Sequence, residues 1–184
     1  MPKRGGEVMI INSNLLRAAL VCVAKNDPRY YLCGVHITPK YLESTNGHVA
    51  LRLEHGVNTR RKAIVQFYGK IPKKAETTEL HFTKEPYAVH RDVNGARVGF
   101  TVLSILDGRF PDLSRIIPKK VENVIPHFQA EFLAYPYKMF EADSAFITVS
   151  LYPSSMTDAC LMKFGDNINQ RYGNPLFVVM PCRV

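Results

Sequence analysis

The sequence predicts an α+β fold in which antiparallel sheets pack on two helices. Three observations carry this. Leu15, Leu16, Ala19, Leu20 and Val23 recur at helical spacing within Leu15 to Lys25. Many shorter runs alternate apolar and polar residues, or are rich in β-branched and aromatic ones, between Asn–Gly, Pro and Gly turns. The first and last parts of the chain share one order: strand, helix, three strands.

Taken in order, "EVMII" reads as a short strand. Asn12 or Ser13 can cap the helix that follows, and Asn26, Asp27 and Pro28 stop it. "RYYLCGVHIT" and "YLESTNG" read as strands, and Asn46–Gly47 has the residues for a turn with positive φ. "HVALRLEH" sets Val49, Leu51 and Leu53 on one face and Ala50, Arg52 and Glu54 on the other. "AIVQFYG", "TELHFT", "YAVHRD" and "ARVGFTVLSI" follow as strands, with Asn94–Gly95 as a hairpin turn. "LDGRFPDLSRIIPK" mixes prolines, glycine and charge among large apolar residues and reads as an extended connector. "HFQAEF" is a strand or a helix lead-in. "LAYPYKMFEAD" is a short helix limited by Pro136, and "AFITVSLY", "ACLMKFG" and "PLFVVMP" are strands. The expected divisions are 1–58, 59–125 and 126–184, folded as one compact body.

A chain of 184 residues, 46% apolar and 22% charged, buries a real core and is not disordered. A formal charge of +8 points to a polyanionic partner, nucleic acid first, with an ordinary basic surface as the alternative. Six basic residues and no acidic one lie between Gly56 and Ala75: Arg60, Arg61, Lys62, Lys70, Lys73 and Lys74. They form either a solvated loop or a phosphate-facing patch. Cys22, Cys33, Cys160 and Cys182 make no CxxC pair and read as free thiols of a reducing compartment. The longest apolar run, Leu16 to Ala24, is interrupted by Arg17 and too short to span a bilayer. The expectation is a cytoplasmic protein with no membrane partner.

Catalytic constellations do not emerge. The histidines are scattered, no glycine-rich loop cradles phosphate, and no serine sits in a nucleophile elbow. Asp107 and Asp112 bracket Phe110–Pro111 as turn residues rather than metal ligands. A strand-rich basic chain of this kind reads as a binder, not an enzyme, and it calls for no cofactor or metal.

Four segments, in order, carry a family resemblance: "DPRYYLCG" at 27–34, "STNGHVA" at 44–50, "LDGRFPDLSRIIP" at 106–118 and "FVVMPCRV" at 177–184. Together they resemble the bacterial replicative sliding clamp, the beta subunit of DNA polymerase III, in a shortened and divergent form. The resemblance implies a DNA-clamp-like fold with helices lining a bore and sheets outside. In the family, two subunits of three domains close a ring around duplex DNA, and each domain holds two strand–helix–strand units. Here the middle segment resembles half a domain with its helix cut down to "GKIPKKAE" or lost, and half of the last domain is missing. A ring of such chains needs more copies than two, or another closure.

The resemblance also implies a pocket for short linear peptides of polymerases and other replication or repair proteins. Carried over, it falls on Leu32, Thr45, Gly47, His48, Val49, Ala50, Pro111, Ile116, Val178 and Met180, with Arg29 nearby. Val49 stands where the family has arginine and Ala50 where it has leucine. The implied DNA contacts, without base specificity, are Arg17 and Lys25 on the first helix and Lys138 on the last, joined by the basic residues of 60–74 if that loop faces the bore. The expected function is a self-associating processivity factor that encircles DNA, of a phage or mobile-element kind. The alternative is a non-encircling adaptor or decoy that binds clamp-interacting peptides.

Overall fold

A computed structural model of the chain describes residues 7–141 and 146–183. The "MPKRGG" start, residues 142–145 (the end of the expected helix and the start of "AFITVSLY") and residue 184 lie outside the described residues. The strands are β1 (Glu7–Asn12), β2 (Val35–Ile37), β3 (Tyr41–Thr45), β4 (Val49–Glu54), β5 (Ala63–Tyr68), β6 (Thr77–Phe82), β7 (Tyr87–Arg91), β8 (Arg97–Leu106), β9 (Val149–Pro153), β10 (Cys160–Phe164) and β11 (Leu176–Val179). The helices are α1 (Ser13–Val21), α2 (Ala130–Leu133), α3 (Tyr135–Met139) and α4 (Asp166–Arg171).

All the strands join one sheet of 11, in the order β1-β6-β7-β8-β5-β2-β3-β4-β11-β10-β9. Every pairing is antiparallel. The expected divisions at 58/59 and 125/126 fall in the loops before β5 and before α2, and the sheet runs unbroken past both.

The strand period of two sorts side chains to opposite faces. Met9, Ile11, Leu42, Leu51, Leu53, Leu80, Phe177 and Val179 point to the helix side. There they meet Leu15, Leu16 and Ala19 of α1, Phe132 of α2, Tyr135 and Met139 of α3, and Ile168 of α4, forming the main core. A second, smaller cluster lies on the other face, hereafter the open face. It gathers Leu32, Ala50, Ile64, Leu161 and Val178 under Phe110 and Leu113 of the connector.

Several elements depart from the sequence reading. Asn12 caps α1, accepting the Asn14 N–H at 2.8 Å, but the helix stops at Val21 rather than Lys25. The chain leaves it so that Ala24 reaches the open-face cluster, where its N–H donates to the Leu32 carbonyl at 2.9 Å. "RYYLCGVHIT" is not one strand. Tyr30–Cys33 forms a 3-10 turn, and only Val35–Ile37 pairs in the sheet. The second helix is split at Ala134 into α2 and α3, with Pro136 in the first turn of α3, where its missing N–H costs nothing. α4 was not foreseen.

The middle segment carries no helix. Residues 69–76 connect β5 to β6 as a loop that drives Ile71 and Ala75 into the main core. Arg17 of α1 donates to the carbonyls of Pro72 at 2.7 Å and Ala75 at 3.1 Å, fixing the loop against the helix.

Candidate peptide groove and basic helix face

The open-face cluster begins at the β3–β4 turn. Asn46 accepts the N–H groups of His48 and Val49 at 2.9 and 3.0 Å, and Gly47 takes φ +90. That turn sets the register Thr45↔Ala50, which continues through Ala50↔Val178, Val178↔Leu161 and Leu161↔Tyr152. One row of side chains across five strands therefore makes the floor of the cluster, with Leu32 of the 3-10 turn packed beside it. The connector after β8 lies over this floor. Phe110 and Leu113 are buried in the cluster, while Pro111 and Ile116 stay exposed. Asp112 caps the 3-10 turn Leu113–Arg115 by accepting the Ser114 N–H at 3.0 Å. Met180 stands 37% exposed beyond β11, its N–H donating to the His48 carbonyl at 2.8 Å.

The structure thus puts Leu32, Ala50 and Val178 in one cluster with Phe110 and Leu113, and Thr45 beside Ala50 in register, while Pro111, Ile116 and Met180 are exposed. Thr45 has its hydroxyl committed, donating to the Val49 carbonyl at 2.6 Å and accepting the Gly47 N–H at 3.1 Å. Arg29 reaches over the turn: a Cβ on Gly47 would lie 2.9 Å from its Nη2. Its guanidinium also donates to Asp27 through Nε at 3.0 Å and Nη2 at 2.8 Å, pulling the Asp27 carboxyl down to about 2.

Two expected members lie away from the open-face cluster. Val49 is 2% exposed in the main core, because its neighbours in register place it on the helix face. The His48 ring stacks on Phe132 of α2 at 5.1 Å and so leans to the helix side as well. Conversely, Phe110, Leu113, Leu161 and Tyr152 were not foreseen. The first two had a signal: Phe110, Leu113 and Ile117 recur at three- and four-residue spacing within the connector.

Beside the floor runs an ionic row. His36↔Glu43 and Glu43↔Arg52 are cross-strand neighbours. Glu43, 5% exposed, meets His36 Nδ1 at 2.8 Å and Arg52 at 2.7 Å (Nε) and 2.6 Å (Nη2). A carboxylate that buried is retained only when its charge is paired.

On the opposite face, Lys25 and Lys138 line one cleft of about 450 Å³ between the end of α1 and α3, with Leu20, Asn46 and Tyr135. Lys138 Nζ lies 5.3 Å from the Tyr135 ring centre. Lys25 sits in the loop after α1, not on the helix. Lys73 pairs with Glu141 at 3.0 Å, which brings the 69–76 loop to the end of α3 on this same side. Lys70 and Lys74 are exposed on that loop, and Arg60 and Lys62 on the loop before β5. Arg61 lies over the Phe82 ring at 4.0 Å. Arg17 is no surface cation: it donates to Asn14 at 2.5 Å as well as to the two loop carbonyls, and burial pulls its guanidinium below the ordinary value. Among the described residues no cluster of His, Cys, Asp or Glu is arranged to hold a metal, and no helix is long and apolar enough to cross a membrane.

The whole chain superimposes on the DNA polymerase sliding clamp from Bacillus subtilis, with a TM-score of 0.66 and 12% identity, covering 100% of this chain and 66% of that one. The fold is that of a bacterial sliding clamp. The DnaN sliding clamp (DNA polymerase III subunit beta) from Bartonella birtlesii, bound to griselimycin, matches with a TM-score of 0.61, 16% identity and coverage of 100% and 68%. Caulobacter crescentus pol III beta matches at 0.61, 15% identity, and coverage of 100% and 68%. The chain therefore spans about two thirds of the length of these clamp chains. At such identities the likeness is one of fold. No family model and no curated protein matches the sequence.

Proposed function

We propose that this clamp-fold chain is a scaffold for DNA transactions: copies assemble around duplex DNA and recruit a polymerase or other replication protein through the open-face groove. The observation that carries the reading is the division of labour between the two faces of the sheet. The helix face holds Lys25, Lys138 and the Lys70–Lys74 loop, which suits phosphate contacts that read no bases. The open face holds an apolar floor with an exposed proline, isoleucine and methionine at its rim, an adaptable surface for leucine and aromatic anchors. Each buried anchor contributes roughly 1.5–3 kcal/mol, and several give micromolar affinity once ordering costs are subtracted.

Assembly would use the two sheet edges. β1 and β9 are the terminal strands, each with one side unpaired. Val8 and Ile10 are exposed on β1, and Val149 and Leu151 on β9. Three units per chain, one of them without an α-helix, call for more copies than the two that close the family's ring, or for another closure. A specific observation favours the alternative, a non-encircling adaptor that binds the same peptides: the helixless middle unit leaves less of a bore surface to track DNA.

Retention on circular DNA separates the two. A ring stays on a nicked circle and is lost when the circle is linearised; an adaptor shows no such difference. A strict monomer at tens of micromolar by light scattering would sink the ring reading. For the groove, a labelled peptide with aromatic and leucine anchors should bind the wild-type chain and lose at least about tenfold in affinity to Met180→Asp. Unchanged affinity would count against this groove.

A further inference from the structure

We propose that the Glu43 carboxylate is the positioning residue of the groove, holding through His36 and Arg52 the connector segment that forms the wall. The proposal rests on the open-face reading above and adds what sets the width of the groove. The connector touches the sheet beside the floor through two polar-backed anchors. The Phe110 ring stacks on His36 with centres 4.7 Å apart and planes at 24°. Arg52 Nη2 donates to Ser114 Oγ at 3.2 Å. Both anchoring side chains converge on Glu43: its Oε2 lies 2.8 Å from His36 Nδ1, and its Oε1 accepts from Arg52 Nε at 2.7 Å.

The arrangement has few degrees of freedom. His36, Glu43 and Arg52 stand side by side on β2, β3 and β4, two residues along from the floor row of Thr45, Ala50 and Val178. Their side-chain exposures are 21%, 6% and 14%, so the carboxylate has little access to water. The imidazole cannot swing from under Phe110 without giving up its contact with Glu43, nor the guanidinium from Ser114 without disturbing the Arg52–Glu43 pair. Apolar burial of Phe110, Leu113 and Ile117 alone would hold the connector down without fixing its angle. The rim residues Pro111 and Ile116 are carried between and just beyond these two anchors, so the spacing of the rim from Met180 follows from the Glu43 contacts.

The experiment combines amide hydrogen exchange on the full-length chain with binding of the labelled peptide. Glu43→Gln keeps the shape of the side chain and removes its charge. Exchange of the Ser114, Arg115, Ile116 and Ile117 amides should rise roughly tenfold while the strands β6 to β8 keep their protection, and peptide affinity should fall by about the same factor. The variant Glu43→Leu with Arg52→Met replaces the buried ion pair by apolar volume, which restores stability but not the tie to Ser114. Affinity should stay low in that double variant, and the connector should stay fast-exchanging. Recovery of both with the melting temperature would overturn the proposal and leave Glu43 a merely structural residue. So would unchanged connector exchange in Glu43→Gln. If the wild-type chain binds no such peptide, the groove reading fails, while the exchange arm still decides whether Glu43 holds the wall.

Discussion

At the scale of single residues, the sequence separates charge from its use poorly. Arg17 and Lys138 look alike as basic residues on helices, yet one is a staple and the other a surface cation. Arg17→Ala should cost about 2 kcal/mol in a urea melt, since hydrogen bonds from a charged donor to buried carbonyls are lost, and it should leave the salt dependence of DNA binding unchanged. Lys138→Ala should do the reverse: stability holds, and the slope of log affinity against log salt falls by roughly one. His90 is fully buried, its Nδ1 at 2.9 Å from Thr78 Oγ1 and its Nε2 at 2.8 Å from Thr101 Oγ1, with Ser13 Oγ 2.8 Å beyond Thr78. Burial, with Arg17 nearby, lowers its pKa in the fold. The unfolded chain therefore takes up the proton first as pH falls. Stability is fully present above the ordinary histidine value of about 6.5 and declines below it toward the depressed folded value. Urea midpoints at about pH 8 and pH 5 should show the drop, and His90→Gln should flatten it. A histidine in "YAVHRD" gave no hint of this, because its partners come from α1, β6 and β8 and meet only in the folded sheet.

Elements were legible where a local rule governs them. The Asn46–Gly47 turn, the Asn12 cap and the alternation in β4 are all contained within a few residues, and the structure follows them. The failures have a common cause in tertiary contact. Tyr30–Cys33 has strand composition but turns so that Leu32 can cover the groove floor from outside the sheet. α1 loses its last expected turn because Ala24 is drawn to the same cluster. The β4–β11 pairing depends on a tight approach no local pattern shows. Gly173 takes φ +62, and its carbonyl accepts the Glu54 N–H at 2.7 Å. A Cβ there would stand only 1.9 Å from the Glu54 carbonyl oxygen. Gly173→Ala should therefore cost roughly 1–3 kcal/mol or more, and should weaken peptide binding along with stability, since Val178 holds its place through that pairing. Coupled thermal melts and peptide titrations on the variant test both parts.

For the whole molecule, the four sequence segments of the resemblance meet around the open-face cluster: the 3-10 turn, the β3–β4 turn, the connector and β11. Their convergence could be anticipated only through that resemblance, since they lie far apart along the chain and no spacing rule joins them. The unbroken sheet was less legible, because the edges of neighbouring units are invisible until their strands pair. One consequence concerns how the chain is made. β4 is finished at Glu54, but its neighbour β11 begins only at Leu176. On the ribosome, the Val49–Glu54 strand must therefore wait until Leu176–Val179 is made before its open side is covered, a long-range closure of the slow kind. Until then it presents an unpaired strand edge with apolar side chains, a template for pairing with another nascent copy. A chain ending before Leu176 should thus aggregate on release rather than fold as a smaller body, a result that pelleting of in vitro translation products would show. The sheet is complete only once the Leu176–Val179 strand has been made, and that same strand supplies Val178 to the open-face cluster.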